Sequence, residues 1–176
     1  MTTDEILREK GIVYLTGEIN QASADYVTKE IIALNALEKN EFIQLIINSN
    51  GGHVVNGIQI TEFIEWSRLP IYTVAIGQIL SAGLFIFMAG AKGNRVITKS
   101  ASVMSHRFIG GHRDTQPNLI AHTKENELTH ERMVKHYLRH TKIKNKATLE
   151  KTLLRESDVW LTPEEAVKYG IADKII

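Results

Sequence analysis

The sequence contains no cysteine, which excludes disulfides and thiolate metal sites and makes the cytoplasm the expected compartment. It also has no excess of charge. Twenty-one Lys and Arg stand against twenty Asp and Glu, a formal charge of +1, so there is neither a basic face for nucleic acid nor an acidic tail. Only three prolines are present, and no Pro-rich linker, low-complexity segment or internal repeat interrupts the chain. Long hydrophobic runs are missing as well. The start, "MTTDEILREKG", mixes acids with bases and lacks an apolar core of signal-peptide length, and the apolar stretch from Ile79 to Ala91 is too short to span a bilayer. No membrane partner is expected. No GxxxxGK[ST] loop is found, so nucleotide chemistry is not expected of this chain itself.

What is present is an ordinary globular composition, 43% hydrophobic and 23% charged over 176 residues. Residues 1–176 are expected to form one domain, long enough to bury about two thirds of its unfolded surface without staples. The β-branched run "GIVYLTG" (11–17) precedes a helical pattern at 21–40, and the apolar run 41–52 precedes another at 54–70, stopped by Pro70. A third strand (71–77) leads into an almost wholly apolar helix after Ser81, and a fourth is expected at 94–106. Strand and helix alternate, which predicts an α/β fold with a mainly parallel sheet whose ligand site lies at the carboxyl ends of the strands. Gly51, Gly52 and Ser81 fall there.

The second half has a different texture. A polar, glycine-containing segment (107–119) is read as a loop or ribbon, and 120–147 as a long polar helix with too few apolar positions to pack deeply, of the kind that bridges subunits. Leu128, Met133 and Leu138 are the apolar positions expected to meet another subunit. A further helix, a turn, and a last helix capped by Thr162, begun at Pro163 and ended by Gly170 complete the chain.

Taken alone, Ser81 before an apolar run is a helix cap, and "NSNGG" is a tight turn. Both have a chemical alternative. The N–H groups of Gly51 or Gly52 and of Ala82, the latter at a helix start, are candidate donors to a developing oxyanion. A nucleophilic serine needs a base, and of seven histidines His106 closes an apolar strand at the edge where Ser81 falls. His53 could line a pocket; His112, His122, His130, His136 and His140 read as solvated. His136 and His140 lie four apart on one helical face, but no third ligand stands out at suitable spacing, so no metal site is expected.

Four stretches together resemble the signatures of the ClpP family, the serine peptidase component of the Clp protease: "INSNGGHVVNG", "GQILSAGLFIFMAGAKGNR", "SASVMSHRFIGG" and "ESDVWLTPEEAVKYGIADKI". The resemblance runs in order from about Ile12 to Ile176. It implies the ClpP/crotonase fold of stacked ββα units, with a handle region at about 107–147 whose projecting helix interlocks two heptameric rings. It implies Ser81 as nucleophile, His106 as base and Asp158 as third triad member, with oxyanion donors at Gly52 and Ala82. Gly51, Phe108, Ile109, Gly110 and Gly111 are implied to hold an extended substrate backbone. No cofactor is implied; the partner would be an AAA+ ATPase of ClpX, ClpA or ClpC type, delivering unfolded polypeptide. Asn50, Arg107 and Ser157 depart from the family pattern, and the short start implies a compact variant such as a phage or accessory paralogue. Two other readings stay open: a catalytically impaired ring subunit, and a crotonase-type acyl-CoA enzyme.

Overall fold

The computed structural model describes residues 1–108, 111 and 113–176. Strand β1 (Ile12–Ile19), helix α2 (Gln21–Leu37), β2 (Ile43–Gly52), α3 (Val54–Trp66) and β3 (Ile71–Leu80) follow a short leading helix, α1 (Thr3–Glu9). Sequence patterning did not foresee α1, which buries none of its residues and so leaves no apolar stripe to read. β1, β2 and β3 pair in parallel, and along β2 burial alternates because its inward Ile43, Leu45 and Ile47 fill the core.

After β3 comes α4 (Ala82–Met88), then β4 (Arg95–Ile97) and β5 (Ser102–Ser105). The expected single strand at 94–106 is thus two. β4 pairs in parallel with Thr73–Ala75 of β3 and β5 with Gln78–Leu80, so one long strand has two successive neighbours. A turn between them is closed by the Ala101 N–H on the Thr98 carbonyl at 3.1 Å. α5 (Gln116–His140), α6 (Lys146–Thr152), β6 (Val159–Leu161), α7 (Pro163–Tyr169) and β7 (Lys174–Ile175) complete a mixed α/β fold with seven helices and a seven-stranded sheet among the described residues. β6 runs antiparallel to β5, and β7 pairs with β4.

The expected caps of α7 are present: Thr162 and Glu165 form a capping box, and Gly170 takes the left-handed conformation. The long helix corrects its expectation in part. Its outer portion is exposed, Ile120 at 63%, whereas Thr129, Met133, Val134, His136, Tyr137 and His140 are buried against this chain's own core. Met133 therefore is not held for another subunit. No helix among the described residues is long and apolar enough to cross a membrane.

Candidate active site

β3 ends at Leu80 and α4 begins at Ala82, leaving one residue to turn the chain. That residue, Ser81, has φ +52° and ψ −118°, a conformation that costs a non-glycine residue about 1–3 kcal/mol. The surroundings hold it there. All seven residues of α4 are buried, the Ser81 N–H donates to the Met104 carbonyl at 2.9 Å, and the Ser81 carbonyl accepts from Phe85 at 3.1 Å. Ser81 thus occupies the N-cap position, but its hydroxyl makes no capping bond. Oγ lies instead 2.7 Å from Nε2 of His106.

His106 follows β5 directly, and both of its neighbours are tied down. The buried Ser105 hydroxyl donates to the Leu153 carbonyl at 2.7 Å and lies 2.8 Å from the Tyr137 hydroxyl, which must then be the donor in that pair. Burial pushes the Tyr137 phenol up to about 12, keeping it a donor across the neutral range. On the other side Arg107 Nε donates to the Leu154 carbonyl at 2.6 Å. The departure at Arg107 therefore anchors the chain just past His106.

Asp158 reaches His106 through strand pairing. In the antiparallel β5–β6 register Ser105 faces Val159, so the next step outward brings His106 to Asp158. Its carboxylate Oδ1 stands 3.6 Å from Nδ1, longer than a hydrogen bond, and the side chain is 53% exposed. The structure brings Ser81 and His106 into hydrogen-bond contact and leaves Asp158 adjacent.

The two glycines close the other side. Gly51 has φ +89°, and a Cβ there would sit 2.7 Å from the Leu80 carbonyl oxygen and 2.8 Å from Ser81 Cβ, so its backbone lies flat against the serine turn. Gly52 faces Ile19 of β1, and its Cβ would lie 2.3 Å from the Ile19 carbonyl oxygen. Ala82, first residue of α4, has an N–H with no acceptor inside the helix. Gly52, Ser81, Ala82, His106 and Phe108 line one pocket of about 100 Å³, backed by Phe85, Met133 and Tyr137. Val54 lines it too, whereas the exposed His53 is not among the lining residues. Gly111 is exposed, and Ile109, Gly110 and His112 lie outside the described residues. Asn50 and Ser157 are exposed, and nothing in the structure explains either departure.

The remaining histidines divide. His122 stands 3.4 Å from Asp114 and His130 3.5 Å from Glu150, both toward solvent. His136 and His140 are buried, contrary to the solvated reading, and Glu65 of α3 supplies the third potential ligand that helical spacing alone did not reveal. Burial first, then His140, pushes His136 down to about 3; burial also lowers His140 against the opposing pull of Glu65. Ser105, Tyr137 and Glu65, and the anchoring contact of Arg107, escaped the sequence pattern because each acts through a contact more than thirty residues away.

A serine on a strained strand–helix turn, a histidine on its hydroxyl and glycine backbone alongside agree with the comparisons to known proteins. The family model described as Clp protease matches residues 2–176. The ATP-dependent Clp protease proteolytic subunit of Deinococcus radiodurans is 28% identical over 165 residues, covering 94% of this chain and 79% of that protein. With a family match that spans the sheet, the serine turn and the long helix alike, this chain belongs to the Clp protease family.

Proposed function

We propose that the chain is a serine endopeptidase. The observation that carries this reading is the 2.7 Å contact between Ser81 Oγ and His106 Nε2 at the mouth of a pocket also lined by Gly52 and Ala82. His106 removes the Ser81 proton as Oγ attacks a peptide carbonyl carbon, forming the acyl bond's tetrahedral precursor. The Gly52 and Ala82 N–H groups donate to its oxyanion, a contribution of about 3 kcal/mol per donor. His106 then passes the proton to the leaving amine, and water, activated by the same imidazole, releases the acyl group. Asp158 holds the imidazole with its hydrogen on Nδ1, leaving the Nε2 lone pair toward Ser81. Phe108 and the glycines at 51 and 111, with Ile109 and Gly110, hold an extended substrate by its main chain.

The pocket supports a peptide rather than an acyl-CoA substrate. At about 100 Å³ it admits one side chain, whereas sites for drug-sized ligands run to about 300 Å³ or more. Clp protease family members normally work as rings with Clp ATPases. For this chain we propose two stacked heptameric rings joined by the exposed outer part of α5, short peptides entering unaided and unfolded polypeptide delivered by an AAA+ ATPase. The deciding experiment is labelling with a fluorophosphonate, read by mass spectrometry of the peptide containing residue 81. A covalent adduct on Ser81 that His106→Ala removes is expected. Absence of an adduct in the intact chain, with no hydrolysis of short fluorogenic peptides, would favour the impaired ring subunit.

A further inference from the structure

Behind the Ser81 pocket, α3 and α5 meet at a second cluster. Glu65 is in the last turn of α3; His136 and His140 occupy one face of α5. One ring nitrogen of each histidine and a carboxylate oxygen of Glu65 lie within 4.8 Å of one another. Both imidazoles are more than nine-tenths buried.

Their polar atoms are not all satisfied by protein. His136 Nε2 lies 2.8 Å from the Phe85 carbonyl, which can only accept, so Nε2 carries the hydrogen and the lone pair sits on Nδ1. Metal-binding histidines are oriented in this way, the ring N–H fixed on a backbone carbonyl and the other nitrogen left basic. His140 is less settled. Its Nε2 is 3.4 Å from Glu65 Oε1, and its buried Nδ1 finds no hydrogen-bond partner among the described residues. A buried, unsatisfied ring nitrogen costs free energy, so protein alone does not fully satisfy this imidazole.

We propose that Glu65, His136 and His140 form a binding site for a divalent transition ion of the zinc class. Two imidazoles and one carboxylate are a donor set that zinc accepts, with water as fourth ligand. At Zn–N and Zn–O distances of about 2.0–2.2 Å the donor atoms must close from 4.8 Å to about 3.3 Å. His140 Nε2 and Glu65 Oε1, 3.4 Å apart, are already near that separation.

The neighbouring cations oppose the site and set its limit. Arg139 donates to both Glu65 oxygens at 2.8 and 2.9 Å, Arg132 and Lys135 border the same groove, and Arg95 donates to the His140 carbonyl. Arg139 is 64% exposed and can turn to solvent when the ion takes the carboxylate. The bound ion would tie three elements together, since the Phe85 ring stacks on His136 at 3.7 Å and also lines the Ser81 pocket. The site is thus a clamp behind the pocket wall, and its existence does not depend on the peptidase reading.

Cobalt(II) reports the site directly, because its visible absorption marks a low-coordinate protein site. Titration of the full chain, free of any polyhistidine tag, should give one Co²⁺ per chain, displaced by Zn²⁺. Glu65→Gln and His136→Leu should each weaken binding by about tenfold or more, while His130→Ala and His106→Ala leave it unchanged. Should His136→Leu fail to fold, Glu65→Gln, a change at an exposed position, decides alone. No visible absorption, or absorption that Glu65→Gln leaves intact or His106→Ala removes, overturns the proposal.

Discussion

The two sides of His106 are built differently. Toward Ser81 the half-buried pair rests on buried neighbours: α4 has no exposed residue, Ser105 is inaccessible, and the contact is 2.7 Å. Toward Asp158 the chain runs through four exposed residues, 155–158, and the contact is 3.6 Å. A close-packed core has few alternative arrangements, so it fixes the serine and histidine to within a hydrogen bond. A solvated surface segment has many, and water competes for its carboxylate. Ser81 and His106 are set by the core, and Asp158 by a strand register one step beyond its last pair.

The largest test strikes the buried side. Ser81→Ala and His106→Ala should each lower kcat for a short fluorogenic peptide by about a million-fold, and the double variant should be hardly worse, because the two act as a unit. Activity near the parent level in Ser81→Ala would remove the serine from the mechanism. Next, Gly51→Ala forces a Cβ into the Leu80 carbonyl and Ser81 Cβ at a φ of +89°. Displacement of the serine by even 1 Å should cost about a hundredfold in kcat/KM, with the fold still visible by circular dichroism. An unchanged rate would mean that Gly51 does not buttress the turn.

On the exposed side the expected effect is smaller. Asp158→Asn should cut kcat/KM by about tenfold to a hundredfold, less than the roughly 10⁴-fold loss where such a carboxylate is buried and hydrogen-bonded. A loss as large as that of Ser81→Ala would show that the contact tightens when substrate binds.

The last test concerns stability on the buried side, where His136 packs against Phe85, with His140 and Arg139 on its own helix, Glu65 on α3 and Arg95 on β4. Its native value of about 3 lies below the ordinary 6.5, so between these limits the unfolded chain binds a proton that the native chain refuses. Stability is therefore fully present above pH 6.5 and falls with acidification toward pH 3, at up to about 1.4 kcal/mol per pH unit from this residue. Urea midpoints in the presence of a chelator should show this slope, and His136→Leu should reduce it. An equal slope in the variant would locate the acid sensitivity elsewhere.

Much of this was legible before any coordinates. Ser81 and His106 could be paired because parallel strands bring their carboxyl ends to one edge, and "SASVMSH" ends where "GQIL" does. The caps at Thr162, Pro163 and Gly170 are local, and local chemistry is read locally. The division of 94–106 into two strands was hidden because both halves are apolar and β-prone, and only the fork of neighbours along β3 separates them. The burial of Met133, His136 and Tyr137 was hidden for another reason: the polar average of α5 combines an exposed outer portion with a packed inner one.

The sequence by itself determined the alternating α/β order, the apolar helix behind Ser81 and the glycines that let backbone approach it, since periodicity, propensity and missing side chains are properties of neighbours along the chain. Tertiary structure alone decided that the serine hydroxyl leaves its own helix for His106, that Asp158 stops 3.6 Å short, and that Glu65 joins two histidines from another helix. Those outcomes depend on distances between segments far apart in sequence, which the packing of the core fixes and no local pattern encodes.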